Sequence, residues 1–135
     1  MKGSPEILII NSDKRELKKA EKFLIHFFDE NNLSKRNFNK VLLCVSEAVL
    51  NSIDHGNQND TEKRVAIQAD CRNELINITI RDEGNGFDYE NIKDPTKEMN
   101  IRKESGRGIH IIKSFSKELN FKDKGKSIQF KIECK

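Results

Sequence analysis

Two polar side chains near the middle of the chain, Glu47 and Asn51, stand four residues apart in a segment with helical periodicity. Residues at this spacing lie on one helix face with Cβ atoms roughly 6 Å apart, so both can reach one ligand. A carboxylate can accept a proton from an attacking hydroxyl, and an amide oxygen is a hard ligand suited to Mg²⁺. For an isolated Glu/Asn pair the alternative is a solvated helix face. Here the pair flanks the apolar stripe, which predicts partial burial.

A second candidate site lies in the segment RDEGNGFD, directly after a short apolar strand. Its glycines, Gly84 and Gly86, allow the backbone to turn tightly and to approach a ligand closely. At the end of the strand, the Asp82 carboxylate can accept a hydrogen bond from the exocyclic amine of a base, which favours adenine over guanine. A strand-ending turn with Asp82 as a local backbone acceptor is an equal alternative.

A third candidate site is the segment SGRG, which is predicted to open a helix near Gly106. Free backbone N–H groups and the positive end of the helix dipole bind anions, so a phosphate fits beside Gly106 and Gly108. Arg107 is preferred over Arg102 and Lys103 for neutralising phosphate charge. Such glycine pairs also serve as plain hinges or caps. Neither pair here continues into a dinucleotide fingerprint or a Walker loop.

Hydrophobic periodicity predicts the elements that position these groups. The second helix carries Glu47 and Asn51 and stops at His55-Gly56, where His55 is interpreted as a capping or packing residue. The predicted elements are a strand over residues 6–10, a helix capped by Ser12 or Asp13 and ending near Asn31-Asn32, a helix capped by Ser34, strands over 65–71 and 76–80 joined by a turn at Asn73-Glu74, a third helix from near Gly106, and a final strand over 128–134.

Length and composition indicate one domain over residues 1–135, without a basic arm for nucleic acid or a membrane segment. The net charge of +3 comes from 25 basic and 22 acidic residues that are interleaved along the chain. Three widely spaced cysteines predict buried, reduced thiols. The apolar run near the N-terminus is too short for a signal peptide or a membrane span, which predicts a cytoplasmic protein. The polar stretch over residues 89–105 is long for a connection, which predicts a lid over a binding site.

The three motifs, taken in order, resemble the N, G1 and G2 boxes of the GHKL ATPase/kinase superfamily. The segments SEAVLNSIDHG, RDEGNGFD and KESGRGIHIIKSF are most similar to the anti-sigma-factor serine kinases of RsbW type. The resemblance implies the α+β Bergerat fold: a two-layer α/β sandwich with a mixed, mostly antiparallel sheet, about three helices on one face, and ATP held under a lid.

The resemblance also implies roles for individual residues. Glu47 is expected to be the catalytic base, Asn51 to bind Mg²⁺ and Asp82 to bind the adenine of ATP. Arg107 and the four glycines are expected to surround the nucleotide. The implied activity is phosphorylation of a serine on an anti-anti-sigma partner with a STAS domain.

A sigma factor is the other partner that the resemblance suggests, and some relatives form homodimers. The alternative is a non-catalytic module that uses nucleotide only to bind its protein partner. One departure is Glu104, where some members carry a basic residue. Phosphate neutralisation is then expected from Arg107 or Lys103.

Overall fold

The computed structural model describes residues 5–83, 103–123 and 126–134, with the backbone alone over 103–107. Within these ranges, five strands form one open sheet in the order β1-β2-β3-β5-β4, and three α-helices cover one of its faces. The predicted two-layer fold is confirmed. The sheet was predicted to be mixed and mostly antiparallel, and all four described strand pairs are antiparallel. The elements are β1 Glu6–Asn11, α1 Leu17–Glu30, α2 Phe38–Asn51, β2 Arg64–Arg72, β3 Leu75–Asp82, α3 Lys103–Phe115, β4 Glu118–Lys122 and β5 Ser127–Glu133.

Alternation along the strands sends one set of side chains under the helices and the other to the open face of the sheet. The turn between β2 and β3 is the predicted one, and both of its residues have positive φ, 51° at Asn73 and 64° at Glu74. Positive φ at both central residues matches the twist of the flanking strands in a two-residue hairpin. The inner face is filled by β-branched and aromatic residues, namely Val65, Ile67, Ile76, Ile78, Ile80, Ile128, Phe130 and Ile132.

Short 3₁₀ turns with side-chain caps lead into the first two helices. Asp13 accepts a hydrogen bond from the backbone N–H of Arg15 at 2.9 Å, and Ser34 accepts one from Arg36 at 3.2 Å. Of the two predicted first caps, the structure therefore uses Asp13, whereas Ser12 is buried. The Arg15 side chain, which donates to the Asp13 carboxylate, lowers the pKa of Asp13 to about 2.

The central element of the helical layer is α2, which contacts α1, α3 and β3. Its buried stripe is wholly inaccessible at Val41, Cys44, Val45, Ala48 and Val49. Just before the helix, the side-chain amide of Asn37 donates to the backbone carbonyl of Cys134 at 2.9 Å and ties α2 to the end of β5. The helix is therefore fixed both by apolar burial and by a hydrogen bond to the sheet.

All three cysteines are free thiols, as the sequence predicts. Cys44 lies in the core, so its predicted burial is confirmed. For Cys71 and Cys134 that prediction is wrong, because they are only half-buried, with their Sγ atoms 3.2 Å apart. Their wide spacing along the chain did not reveal this contact, because it depends on how β2 and the end of β5 are placed in the sheet. No helix in the described ranges is long and apolar enough to span a membrane.

We expect Cys44 to resist alkylation in the folded protein. Burial raises the pKa of its thiol to about 12, so the reactive thiolate is scarce near neutral pH, and the sulfur is also shielded from reagent. Iodoacetamide labelling followed by peptide mass spectrometry measures this protection, with denatured protein as the control. Equal rates of Cys44 labelling in folded and denatured protein would contradict the assignment.

Candidate functional site

The polar pair on α2 lies at the border of the buried stripe. Glu47 is half-buried and Asn51 is 6% exposed, beside Ala48 and Ser52 in the core. The predicted partial burial of the pair is therefore confirmed, and the alternative of a fully solvated face is wrong. An amide side chain this deep on a helix must hold a defined position, because burial of a polar group without partners is costly.

The helix does not stop after Asn51 but widens into a π-helical turn over Ser52–Gly56. The backbone N–H of Asn57 donates to the carbonyl of Ser52, five residues earlier, at 2.7 Å. His55 lies in this turn and is half-buried. Such π-helical turns are rare in proteins. Those that occur are often found at functional sites, because they displace the following residues from an ordinary helical path.

Asp82 occupies the last position of β3 and lies on the inner face of the sheet. It follows Ile76, Ile78 and Ile80 at the two-residue spacing of a strand, and like them it is buried, with 3% exposure. Its backbone N–H donates to the carbonyl of Lys126 at 2.9 Å, which holds the end of β3 against the start of β5. The strand thus delivers a carboxylate into the layer between sheet and helices, where desolvation is expensive.

The π turn and the end of β3 meet at Gly56 and Asp82. A Cβ atom built on Gly56 would lie 2.1 Å from Asp82 Oδ2, far inside van der Waals contact. The missing side chain of Gly56 is therefore what leaves room for the carboxylate. The sequence marks Gly56 only as the end of a helix, because its contact with Asp82 joins residues that are distant along the chain.

The next residue, Asn57, lies in the polar segment after the predicted helix end, where no sequence motif marks it as functional. It is wholly buried and bonds to three separate segments. Its Nδ2 donates to the hydroxyl of Ser12 and to the carbonyl of Arg64, and its Oδ1 accepts from the backbone N–H of Glu83 at 2.9 Å. A polar residue directly after a helix-ending glycine is a weak signal, and only tertiary contacts show its importance.

The other side of α2 faces α3. A Cβ atom built on Gly108 would lie 3.6 Å from Glu47 Oε2, so the backbone of α3 passes close to the carboxylate. The helix begins at Lys103, three residues earlier than predicted. The free N–H groups at this end of α3 therefore precede Gly106, whose own N–H makes the first bond within the helix, and Gly108 lies further along and faces Glu47.

Several predicted site residues lie outside the described ranges. These are Gly84 and Gly86, together with the predicted lid except for its last three residues, which form the start of α3. Arg102 precedes α3 and is likewise outside the described residues, whereas Arg107 lies within the helix. Their roles remain predictions.

The two contacts lie at opposite ends of the segment from Glu47 to Gly56. Glu47 meets α3 near one end and Gly56 meets Asp82 near the other, nine residues further along, which corresponds to about 13 Å of helix. One end holds a buried acceptor. The other combines a carboxylate with the N-terminal half of a helix. A ligand with a donor at one end and negative charge at the other fits this arrangement.

Glu47 and Asn51 are too few to hold Mg²⁺ by themselves, but they suit an ion that is also bound by the phosphates of a ligand. Among the described residues, no group of three or more His, Cys, Asp or Glu side chains could hold a metal ion. Asn51 and Glu47 offer one amide and one carboxylate near each other on α2. Magnesium is commonly held by one or two such groups while substrate phosphates and water complete its octahedron.

The fold and these contacts together define a class: a two-layer α/β domain in which the turn after a central helix contacts a buried carboxylate at the end of one sheet strand. The family of histidine kinase-like ATPase domains matches residues 10–132. The chain belongs to this family, and the resemblance to the GHKL superfamily is thereby confirmed.

Individual relatives are similar over part of their length. The anti-sigma F factor of Oceanobacillus iheyensis is 39% identical over 79 residues, which cover 56% of this chain and 53% of that protein. The serine-protein kinase RsbW of Staphylococcus aureus is 31% identical over 94 residues, covering 64% and 59%. The chain thus aligns with little more than half the length of these two relatives.

A solved structure supports the fold. The crystal structure of the RsbU and RsbW domains of Rv1364c from Mycobacterium tuberculosis superposes with a TM-score of 0.66 at 11% identity. The match covers 96% of this chain and 31% of that chain. At this identity the likeness concerns the arrangement of the elements alone.

Alanine at the two glycines is expected to have opposite effects on stability. Gly56→Ala should lower the free energy of unfolding by about 1–3 kcal/mol, because the new methyl group collides with Asp82. Gly108→Ala should raise it by about 0.5–1 kcal/mol, because its methyl group meets ordinary contacts and alanine favours a helix. Urea denaturation measures both. A Gly56→Ala variant as stable as the Gly108→Ala variant would contradict the packing described.

Proposed function

We propose that this protein is a serine kinase of the anti-sigma-factor type. It binds Mg-ATP and phosphorylates a serine on an anti-anti-sigma partner with a STAS domain, and so regulates transcription by partner switching. Membership of the histidine kinase-like ATPase family and relatives named as an anti-sigma F factor and a serine-protein kinase support this proposal. The observation that carries it is the buried Asp82 carboxylate against Gly56, at the far end of α2 from Glu47.

The nucleotide is oriented by the two unlike ends of the site. Asp82 accepts a hydrogen bond from the exocyclic amine of adenine, whereas guanine presents an oxygen acceptor at that position and is disfavoured. The phosphates extend along α2 toward Glu47 and the start of α3, where the unbonded backbone N–H groups that precede Gly106 favour negative charge. Asn51, which lies between Glu47 and Gly56 along the chain, would hold the magnesium ion that neutralises phosphate charge.

In the transfer step, the serine hydroxyl of the partner attacks the γ-phosphorus of ATP. The bond from that phosphorus to the β–γ bridging oxygen breaks, which leaves ADP and a phosphoserine. Glu47 takes up the hydroxyl proton, and its half-buried position leaves the carboxylate accessible to an incoming side chain. The partner must therefore dock where Glu47 and the start of α3 meet.

A second candidate function is a nucleotide-dependent binding module that sequesters a sigma factor without phosphorylating anything. The names of several relatives favour it, since they specify an anti-sigma F factor rather than a kinase. Glu104, an acidic residue near the expected phosphate position, favours it as well. The two functions differ in whether Glu47 has a chemical task.

Replacement of Asp82 by alanine is expected to remove most of the affinity for ATP. Loss of a hydrogen bond from a charged acceptor costs about 1.5–3 kcal/mol, which weakens the affinity about ten- to hundredfold. Isothermal titration calorimetry with Mg-ATP measures the dissociation constant. Asp70→Ala is the control, because Asp70 on β2 accepts a hydrogen bond from Asn77 on β3, away from the site. An unchanged affinity for ATP in the Asp82→Ala variant would show that Asp82 does not bind adenine.

Replacement of Glu47 by glutamine is expected to separate binding from chemistry. The variant should bind ATP within about twofold of the wild type yet transfer phosphate at least about a hundredfold more slowly, because it lacks the base. Candidate anti-anti-sigma proteins from the same genome are incubated with protein and Mg-ATP, and their intact masses are measured. A gain of one phosphate with the wild type alone identifies the kinase and its substrate.

The opposite result is equally informative. If no candidate gains phosphate although calorimetry demonstrates ATP binding, the kinase assignment fails and the nucleotide-dependent binding module takes its place. If the Glu47→Gln variant transfers phosphate as fast as the wild type, the protein is a kinase but Glu47 is not its base.

A further inference from the structure

Asn57 joins three segments beneath the candidate site. Its side chain is wholly inaccessible to solvent, and each of its polar atoms has a partner. Nδ2 donates to the carbonyl of Arg64 at 3.0 Å, at the start of β2, and to the hydroxyl of Ser12 just after β1. Oδ1 accepts from the backbone N–H of Glu83 at 2.9 Å, directly after β3.

These bonds allow only one orientation of the Asn57 carboxamide. The nitrogen faces two oxygens and the oxygen faces one N–H group, so rotation by half a turn would place like groups together. Aspartate has no donor for the two oxygens, and leucine has neither donor nor acceptor. A buried polar network with every member satisfied is rigid, which suits a residue that sets the position of its neighbours.

This network fixes the backbone that carries Asp82. Its own N–H is anchored to the carbonyl of Lys126 at 2.9 Å, and the N–H of the following residue, Glu83, is anchored to Asn57. The backbone on both sides of the Asp82 side chain is therefore fixed. Gly56, next to Asn57 in sequence, is also the residue against which the carboxylate lies.

We propose that Asn57 is a positioning residue that sets the discrimination between adenine and guanine at this site. It does not touch the base but acts through Glu83 and Asp82, by holding the carboxylate where it meets an amine donor. The inference rests on the proposed binding of ATP. It adds that the preference for ATP over GTP depends on a buried side chain outside the binding surface.

A purely structural role would have a different signature. A loss of stability lowers the fraction of folded protein and weakens ATP and GTP binding by the same factor, so the ratio of their dissociation constants is unchanged. Displacement of Asp82 weakens the bond to the adenine amine and relieves the repulsion of the guanine oxygen. The ratio of the GTP to the ATP dissociation constant therefore falls.

The experiment compares Asn57→Ala with Ser12→Ala. Both variants disrupt the same network and should lower the melting temperature, but Ser12→Ala leaves the bond from Glu83 to Asn57 in place. Titration with Mg-ATP and Mg-GTP at a temperature where each variant is folded should show ATP affinity about tenfold weaker in Asn57→Ala, with the nucleotide ratio reduced by about the same factor. Ser12→Ala should keep the wild-type ratio.

The outcomes separate this inference from the function on which it rests. If the wild-type protein binds no ATP, the proposed function falls and this inference falls with it. If the wild type prefers ATP and Asn57→Ala keeps the same ratio, this inference alone is overturned. A ratio that falls equally in Ser12→Ala also overturns it, because general loosening of the network would then explain the change.

Amide hydrogen exchange tests the same point if Asn57→Ala does not fold. In the wild-type protein without nucleotide, the Glu83 amide should exchange slowly, because its proton is bonded to a buried oxygen. Exchange of the Glu83 amide as fast as in a denatured chain would show that Asn57 does not hold the end of β3, and would overturn the inference.

Discussion

The burial of α2 between its neighbouring helices and the sheet is the constraint on which the rest of the structure depends. Its stripe of small and β-branched residues lies wholly within the core, so the helix can neither rotate nor slide without opening cavities. This fixed orientation places Glu47 and Asn51 at the edge of the stripe and directs Glu47 toward α3. The chemistry proposed for the site depends on that single packing arrangement.

The second constraint is the alternation of β3. Because side chains alternate between the faces of a sheet, the isoleucines of β3 and Asp82 lie on one face, and a one-residue slip would expose the core and the carboxylate together. Hydrophobic burial thus sets the register that also positions a polar group. Gly56 and Asn57 complete the arrangement, one by having no side chain and the other by bonding to the backbone after β3.

The site joins elements that come from distant parts of the sequence. α2 supplies the polar pair, and the π turn supplies the space for Asp82. α3 follows β3 in the chain after a connection of about twenty residues. An elongated ligand can contact all three only when they are packed together. Nucleotide binding would therefore stabilise the folded domain by mass action, and loosening at either end would weaken binding.

The sequence by itself predicted the three helices, four of the five strands, their order and the polar pair on α2, because hydrophobic periodicity and turn chemistry are local and persist in the fold. It did not predict β4, the short edge strand over Glu118–Lys122. The sequence also places Asp82 at the end of a strand, at the same two-residue spacing as the isoleucines of that strand. Tertiary structure alone decided the start of α3 at Lys103, the contact of Gly56 with Asp82 and the role of Asn57. Those features depend on distances between residues remote in the chain, and neither periodicity nor spacing carries information about such distances.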